Sequence, residues 1–136
     1  MSQQTTTTST APRPALLARN KVGLVILGVL GVADLTALAF PTPDGEVGPP
    51  DSILYLDTAL GVITVVAVIV ALVQRRRGAV RLAAGARVLS VLTAMPAFFA
   101  GVEPFVVVLV AVVLVLTVVG IVLALSPGRR TTPVTD

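Results

Sequence analysis

Four apolar runs, at 22–40, 53–73, 82–101 and 105–125, alternate along the chain with short polar segments of two opposed kinds. A helix rises 1.5 Å per residue and needs roughly 20 residues to cross a bilayer's hydrocarbon, so each run predicts one membrane-spanning helix. The fourth run is rich enough in Val to resemble a buried strand. Its length argues for a helix, and so does lipid, where every backbone amide must be satisfied within the segment. The fold class expected is all-α, a transmembrane four-helix bundle.

The polar segments orient it. Arg13, Arg19 and Lys21 precede the first run, Arg75, Arg76, Arg77 and Arg81 join the second to the third, and Arg129 and Arg130 follow the fourth. The alternate connections are acidic: one carries Asp44, Glu46 and Asp51 among Pro41, Pro43, Pro49 and Pro50, and the other is a tight turn at Glu103 and Pro104. Basic residues stay on the cytoplasmic side, which predicts a multi-pass protein of the bacterial inner membrane with both termini in the cytoplasm. Residues 1–20, with Thr5 to Thr8 and then Pro12 and Pro14, read as a disordered tail, and 127–136 as a second, short one. A cleaved signal peptide is the rival for the first run, ending at Ala37-Leu38-Ala39. That run is longer than the usual apolar core of such a peptide and contains Asp34, so it is expected to stay as a span.

Composition sharpens the solvent. The chain is 55% hydrophobic and 12% charged, whereas about a quarter of positions are charged in soluble domains. The net charge of +3 belongs to arginines flanking apolar runs, which points to anionic headgroups as the partner and away from nucleic acid. With no Cys and no His, thiolate and imidazole chemistry are excluded. No metal or other cofactor is expected, nor enzymatic activity. The one enzymatic alternative is a lipid-modifying site on the outer-surface acids Asp57 and Glu103, for which no nucleophile and base pair is evident.

Two pieces of the sequence recur. Leu35 to Phe40 echoes Leu92 to Phe98 with one insertion, and Ile63 to Leu72 echoes Leu116 to Leu125 in order and character. This is the pattern of two parallel-repeat helical hairpins, or of chance among Val, Leu and Ala.

Inside the spans, ionisable and hydroxyl side chains are the informative ones, because an ionised group at mid-bilayer costs about 2.5–3.5 kcal/mol or more. Helical spacing puts Gly23, Leu27, Gly31 and Asp34 on one face, Asp57, Gly61, Thr64, Val68 and Ala71 on another, Ala83, Arg87, Ser90 and Ala94 on a third, and Thr117, Gly120 and Ala124 on a fourth. Depth counting brings Asp34, Thr64, Thr93 and Thr117 into one layer, with Thr36 and Ser90 nearby as further polar lining. Asp34 then has two readings, packing glue or a proton or cation site. Arg87, about 9 Å from the cytoplasmic end, is expected to snorkel to the headgroups with the loop arginines. Pro96 is expected to kink the third helix near Thr93. Phe40, Tyr55, Phe98, Phe99 and Phe105 gather toward the outer interface as an aromatic belt.

The spans, the loop Pro41-Thr42-Pro43-Asp44-Gly45 and the stretch Arg87-Val88-Leu89-Ser90-Val91-Leu92-Thr93-Ala94-Met95-Pro96-Ala97-Phe98-Phe99 resemble small uncharacterised four-span membrane proteins of high-GC, actinobacterial-type bacteria, a resemblance that implies no activity. Size and span count are similar to small multidrug-resistance transporters, whose first span carries a central Glu that exchanges protons for cationic drugs. Asp34 is the position that matches it. The chain departs from those transporters in having Asp there, no Trp, and a proline-rich outer loop. The functional expectation is a non-enzymatic accessory or interaction subunit, partnered by lipid, a second copy or another membrane protein. The alternative is a small proton-coupled or cation transporter using Asp34.

Overall fold

The computed structural model describes residues 16–36, 39, 45, 50–99 and 101–127. The expected tails up to residue 15 and from 128, most of the proline-rich loop, and Phe40 lie outside the described residues. Among those described the chain is all-α: α1 (Ala18–Thr36), α2 (Asp51–Gln74), α3 (Arg77–Ala94), a 3-10 turn (Met95–Phe98) and α4 (Pro104–Leu125). Two of these, α2 and α4, are long and apolar enough to cross a membrane. The other two each carry three charged residues, Arg19, Lys21 and Asp34 in α1 and Arg77, Arg81 and Arg87 in α3.

Local chemistry sets the helix ends. Pro50 precedes α2, and Asp51 places a carboxylate in its first turn, where the helix dipole favours negative charge. Pro104 opens α4, where its missing N–H is no loss. Between α2 and α3 the connection is only Arg75 and Arg76, and Arg75 takes the left-handed conformation (φ 51°) that ends a helix sharply. Pro96 does not kink α3, as expected, but ends it. The helix stops at Ala94, the backbone tightens into the 3-10 turn, and the Leu92 carbonyl accepts from the Met95 N–H.

The third helix therefore begins five residues before the expected boundary and ends seven before it, a shift with consequences for Arg87. The first begins at Ala18, inside what reads as a tail.

The helices pack around α1, which lies against both α2 and α4, while α2 pairs with α3 and α3 touches α4 only thinly. Leu24, Leu27, Ala67, Ala71, Ala83 and Ala124 form the core. Close approach is made by glycine. A Cβ on Gly23 would sit 2.6 Å from the Gly120 carbonyl oxygen, and one on Gly61 would sit 2.9 Å from that of Gly31. Any side chain at either place would drive two helix backbones apart. In α4 the buried residues are Thr117, Gly120 and Ala124, the three that helical spacing groups.

The two ends of the molecule differ. Arg19, Lys21, Arg75, Arg76, Arg77 and Arg81 are exposed at one, the basic end. Tyr55, Phe98, Phe99 and Phe105 are exposed toward the other, the aromatic end.

Candidate functional site

Asp34, Asp57, Arg87 and Ser90 come together between α1, α2 and α3. Arg87 Nη1 donates to Asp34 Oδ2 as an ion pair, and Ser90 Oγ donates to Asp57 Oδ1. The helices deliver them through small neighbours: Gly31 and Gly61 let α1 approach α2, so that Asp34 stands over the Gly61 backbone. Arg87 and Ser90 lie three residues apart, on one face of α3, and point the same way.

This corrects the expected place of Arg87. It does not snorkel: 1% of its side chain is exposed, against 12% for Asp34. The reason is the start of α3. Counted from Arg77, Arg87 lies about 15 Å along its helix, against the roughly 9 Å expected, so its stem reaches Asp34 directly, without the helix tilt or bridging water that the shallower count called for. Asp57, expected at the outer surface, is likewise half-buried and bonded across to α3. Glu103 is exposed at the N-cap of α4, and no hydrogen bond among the described residues joins it to Asp57.

The threonines diverge. Thr64 is fully buried and donates to the Leu60 carbonyl at 2.8 Å, and Thr93 donates to the Ser90 carbonyl at 2.7 Å. Thr36 is exposed and bonds within its own helix, to the Ala33 carbonyl at 2.7 Å, so it does not join the cluster. Thr117 is buried with no partner for its hydroxyl. The Nε of Arg87 is the other buried side-chain donor without a partner among the described residues.

A residue that sequence reasoning missed holds the basic end. Asn20, placed in the tail, is buried on the first turn of α1, and its amide donates to three carbonyls at the end of α4: Ala124 at 2.8 Å, Ser126 at 2.9 Å and Leu123 at 3.3 Å. The Leu123 carbonyl also accepts from the Ser126 N–H at 3.4 Å, whereas carbonyls in a helix's last turn otherwise go without an intrahelical donor, so the amide caps α4 from the side. The signal was spacing: residues 20, 23, 24, 27, 30 and 31 make one helical stripe that continues past the expected boundary.

Chemically the cluster is a compensated pair plus one further carboxylate with a hydroxyl donor. An ion pair buried this way contributes less to net stability than its contact suggests, but removing one partner strands a charge and costs about 3–5 kcal/mol. Among the described residues no group of three or more acids could hold a metal ion. Comparison with protein-family models, curated proteins and solved structures returns no match.

Proposed function

We propose that the chain is a multi-pass integral protein of the bacterial cytoplasmic membrane, all four helices crossing it with both termini in the cytoplasm. Its role is that of a non-enzymatic accessory or interaction subunit. One observation carries this: the molecule is inside out for water. Beside a few leucines and valines the buried positions are mostly Gly and Ala with the polar Asn20, Thr64, Arg87, Ser90 and Thr117, whereas many exposed ones are large and aliphatic, such as Val29 at 63%, Val73 at 76%, Val108 at 61% and Val122 at 61% exposure. Exposed apolar surface this continuous would drive aggregation in water, but in hydrocarbon it faces its own kind.

The charges of α1 and α3 fit the same solvent. Arg19, Lys21, Arg77 and Arg81 sit at the basic end, and the remaining two, Asp34 and Arg87, neutralise each other inside. Pairing also supports the glue reading of Asp34, since its charge is already answered. Thr64, Ala67 and Ala71 are buried in α2 as Thr117, Gly120 and Ala124 are in α4, which supports two parallel-repeat hairpins and a four-helix transmembrane bundle.

The test is fractionation and tagging. The protein should resist alkaline carbonate extraction, and tags at both ends should be unreachable from outside intact cells. A chain released by carbonate, or an end labelled from outside, sinks the topology. Crosslinking in native membranes should capture a second copy or another membrane protein, and a lone monomer would remove the accessory role.

A transporter using Asp34 is the second reading, favoured by the unpartnered Arg87 Nε and Thr117 hydroxyl, polar atoms buried where water or a passing ion would satisfy them. Liposome flux unchanged by Asp34→Asn would eliminate it.

A further inference from the structure

Two apolar grooves of similar size, about 290 Å³ between α2 and α3 and about 280 Å³ between α3 and α4, lie along α3. Charge separates them. Helical spacing puts Arg77 and Arg81 on the face of α3 that carries Val88 and Leu92, which wall the α3–α4 groove. Ala79 and Leu82, which wall the other groove, lie toward the opposite side of the helix. Both arginines are exposed, and Arg81 stands two turns, about 10 Å, from Val88 toward the basic end. A groove with cations at its foot and aliphatic walls beyond them fits a molecule with an anionic head and an apolar chain.

The facing helix favours the same occupant. Along α4 the groove is walled by Leu114, Val118 and Ile121, and its one hydroxyl residue, Thr117, is only 2% exposed, so an entering chain meets aliphatic surface. The C-terminus of a helix is its negative pole and repels anions. That pole of α4 lies at the basic end, but the Asn20 amide engages three carbonyls there. The acids among the described residues, Asp34, Asp51, Asp57 and Glu103, all lie away from this end.

We infer that the α3–α4 groove seats one anionic phospholipid, its phosphate on Arg77 and Arg81 and one acyl chain along Val88 and Val118. The inference rests on the membrane reading and names a lipid partner for it. Arg77 and Arg81 stand one turn apart on one face, so two guanidinium groups can converge on a single phosphate through paired N–H donors. From Arg81 to Leu92 the path is about 16 Å, which puts the groove at the depth of an acyl chain whose head is at the arginines. Each basic residue near the surface strengthens attraction to anionic lipid roughly five-fold.

The experiment uses the full chain in vesicles of phosphatidylglycerol and phosphatidylethanolamine with identical acyl chains, followed by native mass spectrometry of the released protein. Wild type should retain phosphatidylglycerol selectively. Arg77→Gln with Arg81→Gln should lower that preference about 25-fold, two five-fold steps. Arg75→Gln with Arg76→Gln removes the same charge from the corner before the helix and should lower it by less than about five-fold. Equal losses from the two pairs overturn the inference, because the attraction is then diffuse. Val88→Phe with Val118→Phe fills the groove without touching charge and should release the lipid, whereas Val66→Phe, in the other groove, should not. Retention that survives filling of the α3–α4 groove overturns the inference, as does no preference in wild type. Glycerol phosphate competing as strongly as the whole lipid overturns it in favour of a soluble phosphate, and a lipid-free dimer in favour of a second copy. All four arginines are exposed, so the charge comparison stands even if the filled groove misfolds. A wild-type chain that does not float with vesicles overturns the membrane reading, and this inference falls with it. One that floats without lipid preference sinks this inference alone.

Discussion

The two ends of α1 are held by different physics. Near Asn20 and Gly23 the helix meets α4 through bare backbone, with one amide capping its neighbour's last carbonyls. Near Asp34 it also packs closely on α2 through Gly31 and Gly61, and charge is added there, to an arginine on a helix it otherwise barely touches. The first contact is made of dispersion and close fit, which tolerate hydrocarbon as readily as a protein core. The second depends on both partners being present. One seam should therefore respond to volume alone and the other to charge as well.

The largest expected effect is Arg87→Ala, which strands Asp34 and should cost about 3–5 kcal/mol in reversible unfolding from mild detergent. Asp34→Asn in the same background should recover part of that loss. A double mutant no more stable than Arg87→Ala alone would show that the pair is not what holds this end.

Next comes Gly23→Ala, which should lose about 1–3 kcal/mol because its methyl meets the α4 backbone. Gly85→Ala, with open space around it, should instead gain up to about 1 kcal/mol through helix propensity. Equal responses at the two glycines would argue that α1 and α4 do not pack closely. The smallest effect is Asn20→Ala, about 1 kcal/mol, read as faster amide exchange in the last turn of α4. Unchanged exchange there would remove the capping role.

Much of the fold was legible in the sequence. The starts and ends of α2 and α4 fall within two residues of the hydropathy boundaries, since Pro50, Asp51 and Pro104 punctuate the backbone where the apolar runs begin. The buried faces followed from small and polar residues at helical spacing. The lateral partners did not. Whether Asp34 reaches Arg87 depends on where α3 starts, and no capping residue marks that point, because Arg76 stands at the N-cap and caps nothing with its side chain. A run of arginines reads equally as loop or as first turn, and the difference moves everything after it by about 7.5 Å. Asn20 was obscured in the same way, by a basic flank that reads as tail.

The amide of Asn20 and the carbonyl of Ala124 are separated by 104 residues. A polypeptide made from its N-terminus must therefore wait until α4 is made before that contact can close. Until α4 emerges, the glycine-lined flank of α1 is open to other partners. The first three helices can assemble through the α1–α2 and α2–α3 contacts, and the fourth then docks as a latch. A chain interrupted before Gly120 would leave that flank uncovered, offering a seat to any other helix with two small residues one turn apart.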